Sequence, residues 1–329
     1  MFDKKKHYKF EIIHSETIKY STIWESRLRE GVRKNKEELI QLDNDYGVLV
    51  SEILLDFITR KNISDIDFIA SHGHTILHKP DEGLTLQIGN GKIIADKTNQ
   101  KVICDFRTQD VAYGGQGAPL VPIGDELLFS QYDACLNLGG FANISFKEGG
   151  KRIAFDICPV NIVLNHYVSK LGHEYDDKGI FASRGSVNES LLIQLNTLEF
   201  YKKEYPKSLG LEWVQEYVFS LIDKEEFDVI TILRTIVEHI AIQISKSLKE
   251  RREVLITGGG AFNSFLMERI SFLSQVKIIV PDESIVNYKE ALIFAFLGLL
   301  RIDNQVNCLS SVTGANKDHS SGVLFIPEI

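Results

Sequence analysis

The chain has 329 residues and a formal net charge of −8, from 37 Lys and Arg against 45 Asp and Glu. Hydrophobic residues make up 44% and charged residues 25%, a balance that is typical of globular proteins and excludes extensive disorder. The length predicts about two domains. The acidic balance argues against nucleic acid as a partner, because binding to nucleic acid requires a basic surface.

The cysteines and the apolar runs bear on the location of the protein. The chain contains four cysteines, Cys104, Cys135, Cys158 and Cys308. No two of them stand at CxxC spacing, and unpaired cysteines are typical of a reducing compartment. The longest apolar run, residues 291–300, is shorter than the roughly 18–20 residues that a membrane span needs. We therefore predict a cytoplasmic protein with no membrane partner.

The first third of the chain mixes helical and strand patterns. Apolar residues recur at helical spacing over residues 36–58, which predicts a helix. Strand patterns at residues 84–88 and 93–95 flank Gly89-Asn90-Gly91, and this arrangement predicts a hairpin. A strand or hairpin is predicted at residues 8–18. Short strands are predicted at residues 68–70 and 102–104.

A second block of strands and helices begins near residue 134. Its predicted strands are residues 134–138, 144–146, 153–155, 254–257 and 277–280. A capping box at Ser186 and Glu189 predicts the start of one helix, and an i, i+4 apolar stripe from Ile232 to Leu248 predicts a long core helix. Because strand-rich openings followed by helices occur twice, the pattern favours two related α/β lobes.

Two glycine-rich turns stand at predicted strand ends. Gly258, Gly259 and Gly260 lie between a strand and a helix, where bare backbone N–H groups can meet a phosphate. The alternative is a tight structural turn, since the spacing matches neither G-x-G-x-x-G nor a P-loop. Gly139 and Gly140 form a hairpin tip, with Asn143 as an added donor or, alternatively, as part of a simple β-turn. Two such turns favour a nucleotide between them.

Asp156 is the candidate general base. It follows the predicted strand at residues 153–155, and a carboxylate at a strand end that faces a cleft is well placed to accept a proton. The alternative is an N-cap for the helix predicted near Asn161. The neighbouring Cys158 lies in an apolar run without a His partner in sequence, which predicts packing rather than nucleophilic chemistry.

Histidines and an arginine form the remaining candidates. His72 and His74 stand at i, i+2, and on a strand they would face the same way, as the ligands of a metal-dependent hydrolase do. The preferred interpretation is that His72 and Thr75 form hydrogen bonds with a polar ligand. Arg107 follows the strand at residues 102–104 and either forms a surface salt bridge or binds a substrate carboxylate through its guanidinium fork.

Several of these segments together resemble the anhydro-N-acetylmuramic acid kinases, a family of the actin-like ATPase and sugar kinase superfamily. The resemblance runs from about residue 8 to the C-terminus. It rests on SHGHTILHKP (71–80), TLQIGNGKIIA (85–95), DFRTQDVAYGGQGAPLVP (105–122), LNLGGFANIS (136–145), FDICPVN (155–161), YDDKGIFASRG (175–185), ITGGGAFNSFLMERI (256–270) and EALIFAFLG (290–298).

The resemblance implies an α/β protein with two lobes of ribonuclease-H-like topology and a central cleft. The first lobe would contain residues 1–132 and about 286–329, and the second would contain residues 133–285. Members hydrolyse the 1,6-anhydro ring of anhydro-N-acetylmuramic acid and phosphorylate O6 with ATP and Mg²⁺. The product, N-acetylmuramic acid 6-phosphate, belongs to the recycling of cell-wall peptidoglycan. The resemblance also implies a homodimer.

The resemblance assigns roles to residues of this chain. Asp156 matches the aspartate that activates water for attack at the anomeric carbon, and Arg107 matches the position that binds the lactyl carboxylate. Further matches are His72, Thr75 and Glu290 near the sugar, Gly139, Gly140 and Asn143 in a phosphate loop, and Gly258, Gly259, Gly260 and Asn263 on the adenosine side.

Two departures from the family pattern affect these expectations. Many members read FDTGPGN where this chain reads FDICPVN, so Cys158 and Val160 replace glycines. The family also opens with a strand and a GTS-x-DG loop for the ATP phosphates, and this chain has no such stretch. A truncated gene product, a misplaced start codon or an impaired relative that binds sugar or nucleotide would each account for it. We expect the 329-residue chain to bind ATP weakly and to have little kinase activity.

Overall fold

The computed structural model describes residues 2–3, 8–224 and 226–328, and the chain divides into two compact units. Unit 1 contains Met1–Leu128 and Glu290–Ile329, and unit 2 contains Phe129–Lys289. Each unit combines helices with β-sheet, which confirms the α/β class. Among the described residues, no helix combines the length and the apolar character that a membrane span requires.

Unit 1 contains three small sheets. Its strands are β1 (Phe2–Asp3), β2 (Lys9–Phe10), β3 (Ile69–Ala70), β4 (His74–Lys79), β5 (Leu84–Ile88), β6 (Val102–Cys104) and β12 (Val323–Phe325). Strand β6 is central in one sheet, with β3 parallel on one side and β12 antiparallel on the other. Strands β4 and β5 form an antiparallel pair, and so do β1 and β2.

The helices of unit 1 follow local signals in the sequence. They are α1 (Thr22–Glu30), α2 (Lys36–Arg60), α3 (Gly91–Thr98), α4 (Thr108–Ala112), α5 (Pro122–Leu128) and α14 (Ser310–Thr313), and α13 (Glu283–Ile302) begins in unit 2. The predicted helix at 36–58 is confirmed as α2. Asn35 and Glu38 start α2 with a capping box, which satisfies backbone N–H groups that have no partner within the helix.

Two predictions in unit 1 are wrong. Residues 93–95 are not a strand, because the Asn90 side chain accepts hydrogen bonds from the backbone N–H groups of Lys92 and Ile93 and thereby starts helix α3. Strand β5 pairs with β4 instead. In the predicted strand or hairpin at 8–18, only Lys9–Phe10 is a strand, and residues 11–18 have no regular secondary structure.

Unit 2 is built on one five-stranded sheet. Its strands are β7 (Ala134–Leu138), β8 (Phe141–Glu148), β9 (Lys151–Pro159), β10 (Glu253–Thr257) and β11 (Lys277–Ile279). Their order is β11-β10-β7-β8-β9, with β7, β8 and β9 antiparallel in sequence and β10 and β11 parallel to β7. This order is that of the ribonuclease-H-like fold, which the resemblance predicted.

Helices pack against this sheet. They are α6 (Asn161–Ser169), α7 (Ile180–Arg184), α8 (Glu189–Asn196), α9 (Leu211–Trp213), α10 (Ser220–Ile222), α11 (Val229–Ser247) and α12 (Ser264–Ser274), with a π-helical turn at Val214–Phe219 between α9 and α10. The apolar stripe of α11 is buried in the core, as predicted. The capping box at Ser186 is wrong, because Asn188 is the residue whose side chain caps α8.

Candidate functional site

A row of polar residues crosses the sheet of unit 2. Thr257 in β10 pairs with Asn137 in β7, Asn137 pairs with Asn143 in β8, and Asn143 pairs with Asp156 in β9. A register shift between Ala142 and Asn143 sets the last of these pairs. Because directly opposed residues share a face of the sheet, these side chains lie on one side of it. The register therefore brings together two predicted site residues, Asn143 and Asp156.

Asp156 lies inside a strand rather than at its end. Strand β9 continues to Pro159, so the predicted strand end at residue 155 is wrong. Val160 occupies the N-cap position of α6 and no side chain caps that helix, so the alternative that Asp156 is a helix cap is also wrong. Asp156 therefore lies within the polar row of the sheet and does not cap a helix.

The backbone of residues 207–209 holds the Asp156 carboxyl group. The N–H of Leu209 donates to Asp156 Oδ2 at 2.9 Å, and the N–H of Asp156 donates to the carbonyl of Lys207 at 3.1 Å. Burial raises the pKa of Asp156, and the bond from Leu209 lowers it by a smaller amount. A raised pKa favours a general base, since proton transfer works best near the operating pH. The sequence held no local signal for this contact.

The two residues that replace glycines of the family pattern are core residues in this chain. Cys158 and Val160 are both 0% exposed and pack in the apolar core of unit 2. Burial raises the pKa of Cys158, so the group remains a thiol. These positions therefore support the prediction that Cys158 packs rather than reacts.

The turn at Gly258–Gly260 exposes backbone at its middle residue. Gly258 has φ +84°, and a Cβ there would lie 2.7 Å from Asn137 Oδ1. A Cβ on Gly260 would lie 2.7 Å from Leu138 Cβ, whereas a Cβ on the exposed Gly259 would meet nothing closer than Asn161 Nδ2 at 3.7 Å. The N–H groups of Gly259 and Gly260 begin a 3-10 turn and have no partner within it.

Asn161 joins the two glycine-rich turns. Its side chain donates to the carbonyl of Leu138 at 3.2 Å, and its backbone N–H donates to the carbonyl of Gly139 at 3.2 Å. Its side-chain amide also lies beside the positions of a Cβ on Gly259 and on Gly260. Sequence reasoning noted this asparagine in FDICPVN but gave it no role. The tip of the β7–β8 hairpin is open, since a Cβ on Gly140 would meet nothing within 4.0 Å except Ile162.

Asn143 and Asn263 occupy different surroundings. Asn143 is exposed on β8, whereas Asn263 is buried. The Asn263 side chain caps α12, with Oδ1 accepting from the N–H of Leu266 at 3.0 Å. The predicted nucleotide contact of Asn263 stays a prediction, and the structure gives the residue a role in starting the helix.

In unit 1, His72 and Arg107 form one hydrogen-bonded pair. Arg107 donates from Nε at 3.0 Å and from Nη2 at 2.8 Å to His72 Nε2. His72 Nδ1 lies 3.1 Å from the carbonyl oxygen of Gly73. Because Nε2 accepts and Nδ1 must donate, the imidazole is neutral with its proton on Nδ1. Burial, with a smaller contribution from the Arg107 charge, lowers the pKa of His72 to about 4.

Arg107 has N–H groups that its contacts within the described residues do not use. Its Nη1 also donates to the carbonyl of Gly117 at 2.6 Å. A guanidinium has five N–H groups, so these three bonds leave two N–H groups unused. Within the described residues Arg107 forms no ion pair, which argues against the surface salt bridge. Burial lowers the pKa of Arg107, and the nearby Glu290 charge opposes that shift.

Thr75 and Glu290 are the other residues predicted to bind the sugar. Thr75 is exposed on β4 and accepts a hydrogen bond from Gln87 Nε2 at 3.3 Å. Glu290 is exposed on α13 and acts on Arg107 through its charge. The ring of Phe294, one turn further along α13, lies with its centroid 4.5 Å from that of His72. No pattern in the sequence indicated that Phe294 packs against His72.

The metal-hydrolase alternative is wrong in its geometry. His72 precedes strand β4, and Gly73 at φ +75° interrupts the alternation on which the prediction relied. His72 faces Arg107, while the ring of His74 packs near Tyr46 with centroids 6.1 Å apart. Among the described residues, the one cluster with metal-ligand spacing is Asp110, Cys308 and His319, which includes neither of them.

The neutral His72 predicts a pH dependence of stability. Its pKa falls from 6.5 to about 4 on folding, so the unfolded chain takes up the proton first as the pH falls. The contribution to the free energy of unfolding is full above pH ~6.5 and is lost as the pH falls towards ~4. His239 acts in the same direction, since burial lowers its pKa to about 3.

Thermal unfolding at pH 7 and pH 5 tests this prediction. We expect His72→Gln, which keeps an acceptor for Arg107 but cannot titrate, to show a smaller difference in Tm between the two pH values than the unmodified chain. His14→Gln, at an exposed position, is the matched control. An undiminished pH difference in His72→Gln would contradict the assignment of the neutral form.

Comparison with known proteins identifies the family. The family model for anhydro-N-acetylmuramic acid kinase matches residues 15–327. The chain belongs to the anhydro-N-acetylmuramic acid kinase family. A family member from Aliivibrio fischeri is 34% identical over 313 residues, which cover 90% of this chain and 85% of the relative. One from Pseudomonas syringae pv. syringae is 36% identical over 279 residues, which cover 80% and 76%.

Solved structures give more distant matches to this family member. The activator of the 2-hydroxyisocaproyl-CoA dehydratase from Clostridium difficile, solved with bound ADPNP, matches 60% of this chain and 79% of its own. The sequence identity is 16% and the TM-score is 0.35. Component A of the (R)-2-hydroxyglutaryl-CoA dehydratase from Acidaminococcus fermentans matches 53% and 63%, with 17% identity and a TM-score of 0.35. At these values the two structures support no conclusion about the site.

Proposed function

We propose that this chain is an ATP-dependent kinase that hydrolyses the 1,6-anhydro ring of anhydro-N-acetylmuramic acid and phosphorylates O6. The product is N-acetylmuramic acid 6-phosphate, an intermediate in peptidoglycan recycling. The observation that carries the proposal is the family match over residues 15–327. The polar row that contains Asp156 and the Arg107–His72 pair support it at the level of residues.

Asp156 is the proposed catalytic base. It accepts a proton from the water that attacks the anomeric carbon, and the bond between that carbon and O6 breaks. O6 then takes the γ-phosphoryl group of ATP, and ADP leaves. The burial that raises the pKa of Asp156 supports this role, because it strengthens the carboxylate as a base. The Leu209 N–H, which donates to Oδ2, keeps the carboxyl group oriented.

Arg107 is the proposed binding residue for the lactyl carboxylate. A guanidinium recognises a carboxylate by charge-assisted hydrogen bonds, and Arg107 keeps an unused N–H for such a bond. His72 orients the guanidinium by accepting from Nε and Nη2. Thr75 and Glu290 supply a hydroxyl and a carboxylate for the polar groups of the sugar.

The residues of unit 2 fit a nucleotide. The bare N–H groups at Gly259 and Gly260, the open tip at Gly139-Gly140 and the exposed amide of Asn143 suit phosphate oxygens. ATP supplies the phosphoryl group, and Mg²⁺ offsets the charge of its phosphates. Mg²⁺ would bind the phosphate oxygens of ATP.

The protein is proposed to be a cytoplasmic homodimer. All four cysteines are free and buried, which supports the reducing environment of the cytoplasm. The homodimer rests on the family resemblance, and light scattering of the purified chain tests it.

The direct test is an assay of the 329-residue chain with anhydro-N-acetylmuramic acid, ATP and Mg²⁺. Mass spectrometry should detect N-acetylmuramic acid 6-phosphate, and chelation of Mg²⁺ should abolish its formation. If the chain binds both the sugar and ATP but forms no phosphorylated product, the proposal of kinase activity would be wrong. The chain would then be a binding protein of the same family.

Gly259→Ala separates nucleotide binding from folding. The exposed Gly259 has room for a methyl group, so the variant should fold with an unchanged Tm. The methyl group would keep phosphate oxygens from the neighbouring N–H, and losing one charge-assisted hydrogen bond should raise the KM for ATP roughly 10-fold or more.

Gly260→Ala is the comparison variant. Its methyl group would clash with Leu138, so it should lower the Tm as well as ATP affinity. An unchanged KM for ATP in Gly259→Ala would remove this turn from the nucleotide site.

A further inference from the structure

Asp110 is a fully buried acidic residue, three positions after Arg107, and the proposed function gives it no role. Its Oδ2 accepts from the N–H of Gly117 at 2.7 Å. Its Oδ1 accepts from Thr313 Oγ1 at 2.7 Å and from Cys308 Sγ at 3.0 Å. Burial, with the bond to Asp110, raises the pKa of Cys308, which keeps it as a donating thiol. The burial of the carboxyl group is thus compensated by hydrogen bonds.

Gly117 links Asp110 to the proposed sugar site. Its N–H donates to Asp110, while its carbonyl accepts from Arg107 Nη1 at 2.6 Å. The backbone of Gly117 therefore contacts both groups, so the position of the Asp110 carboxyl group affects the position of the Arg107 guanidinium. On its other side the guanidinium donates to His72, and the Phe294 ring lies with its centroid 6.0 Å from the guanidinium carbon.

The loop that contains Gly117 is held on both sides. The N–H of Gly115 donates to the Asp110 carbonyl at 2.9 Å, and a Cβ at Gly115 would lie only 2.2 Å from Asp110 Oδ2. From the C-terminal segment, the carbonyl of Thr313 accepts from the N–H of Gln116 at 2.8 Å. Because this backbone packs directly on Asp110, a change at Asp110 displaces the loop.

We propose that Asp110 is a positioning residue that fixes Arg107 through Gly117 and thereby sets the selectivity of the site for ligands that carry a carboxylate. This inference rests on the proposed function, because Arg107 is there the group that meets the carboxylate. Asp110, Cys308 and His319 also have metal-ligand spacing. Both carboxyl oxygens of Asp110 already accept hydrogen bonds, so we assign the cluster to positioning rather than to a metal.

Asp110→Ala tests the proposal by its effect on two ligands. Loss of the Gly117 anchor should weaken binding of anhydro-N-acetylmuramic acid by roughly 10-fold or more, in the range of one charge-assisted hydrogen bond. Binding of an analogue without the lactyl group, and the KM for ATP, should hardly change. Cys308→Ser, which keeps a donor to Asp110 and does not touch Gly117, is the matched control and should behave as the unmodified chain. Equal losses for both ligands, or no loss, would overturn the proposal.

Asp110→Asn keeps the test decisive if the alanine variant does not fold. The amide has nearly the same shape and can still accept from Gly117, because the Thr313 hydroxyl can rotate to accept from the amide nitrogen. We expect it to retain most of the affinity and the selectivity. An affinity as low as that of Arg107→Ala would contradict the role assigned to the Gly117 contact.

NMR of the His72 ring supplies a readout that does not depend on sugar binding. If Arg107 loses its position in Asp110→Ala, its charge moves away from His72, and the pKa of His72 should rise above about 4. The rise should be only part of the whole shift, because burial is the larger cause of that shift. Suppose that the His72 pKa rises in Asp110→Ala, and that the unmodified chain binds no sugar. That result would support the positioning role and refute the proposed function. An unchanged His72 titration in a chain that binds the sugar would refute the positioning role alone.

Discussion

Asp156→Asn is expected to lower the turnover of ring opening and phosphorylation by roughly 10²–10⁴ or more, the range that general-base catalysis supplies. The amide keeps an oxygen that can accept from the Leu209 N–H, so the local fold should persist. It cannot take a proton from water. Sugar affinity should change much less than turnover, because binding of the lactyl carboxylate is assigned to Arg107. Steady-state kinetics with separate binding measurements test both expectations.

The pH profile adds a signature of the base. Burial raises the pKa of Asp156, and the residue works in its ionised form, so turnover should fall as the pH drops through that raised value. The acid limb should disappear in the residual activity of Asp156→Asn. Asp223→Asn, an exposed substitution in the same unit, is the control. Near-normal turnover of Asp156→Asn in an active chain would remove Asp156 from this role.

Arg107→Ala is expected to weaken binding of anhydro-N-acetylmuramic acid about 10- to 150-fold. This range corresponds to the roughly 1.5–3 kcal/mol that a hydrogen bond to a charged group contributes. An analogue that lacks the lactyl group should bind almost as well to the variant as to the unmodified chain. Calorimetry with both ligands measures the difference directly.

Two further variants narrow the interpretation of Arg107. Arg107→Lys keeps the charge but loses the fork that bonds to His72 and Gly117, so it should recover only part of the affinity. Arg60→Ala, at an exposed ion pair in unit 1, should leave both ligands unaffected. Equal losses for both sugars in Arg107→Ala would mean that the residue supports the fold rather than the carboxylate.

Local patterns in the sequence predicted the elements that have local causes. Helix α2 follows an apolar repeat, and β6 matches its predicted bounds of 102–104. The stripe of α11 was recognised as core because its apolar residues recur at i, i+4. The failed hairpin at 93–95 is instructive, since Asn90 can serve either a turn or a helix cap. Strand β5 pairs with β4 and not with residues 93–95, so Asn90 serves as the cap of helix α3.

The candidate site divides in the same way. The sequence by itself determined the chemical groups, namely a carboxylate at 156, a guanidinium at 107 and two glycine-rich turns, because residue type and neighbouring glycines are local properties. Only the tertiary structure decided their partners, since these lie far away in sequence. The register of β7, β8 and β9 placed Asn143 opposite Asp156, and chain packing brought Leu209 to its carboxyl group. Hydrogen bonds across such separations depend on the folded backbone, so no pattern of neighbouring residues encodes them.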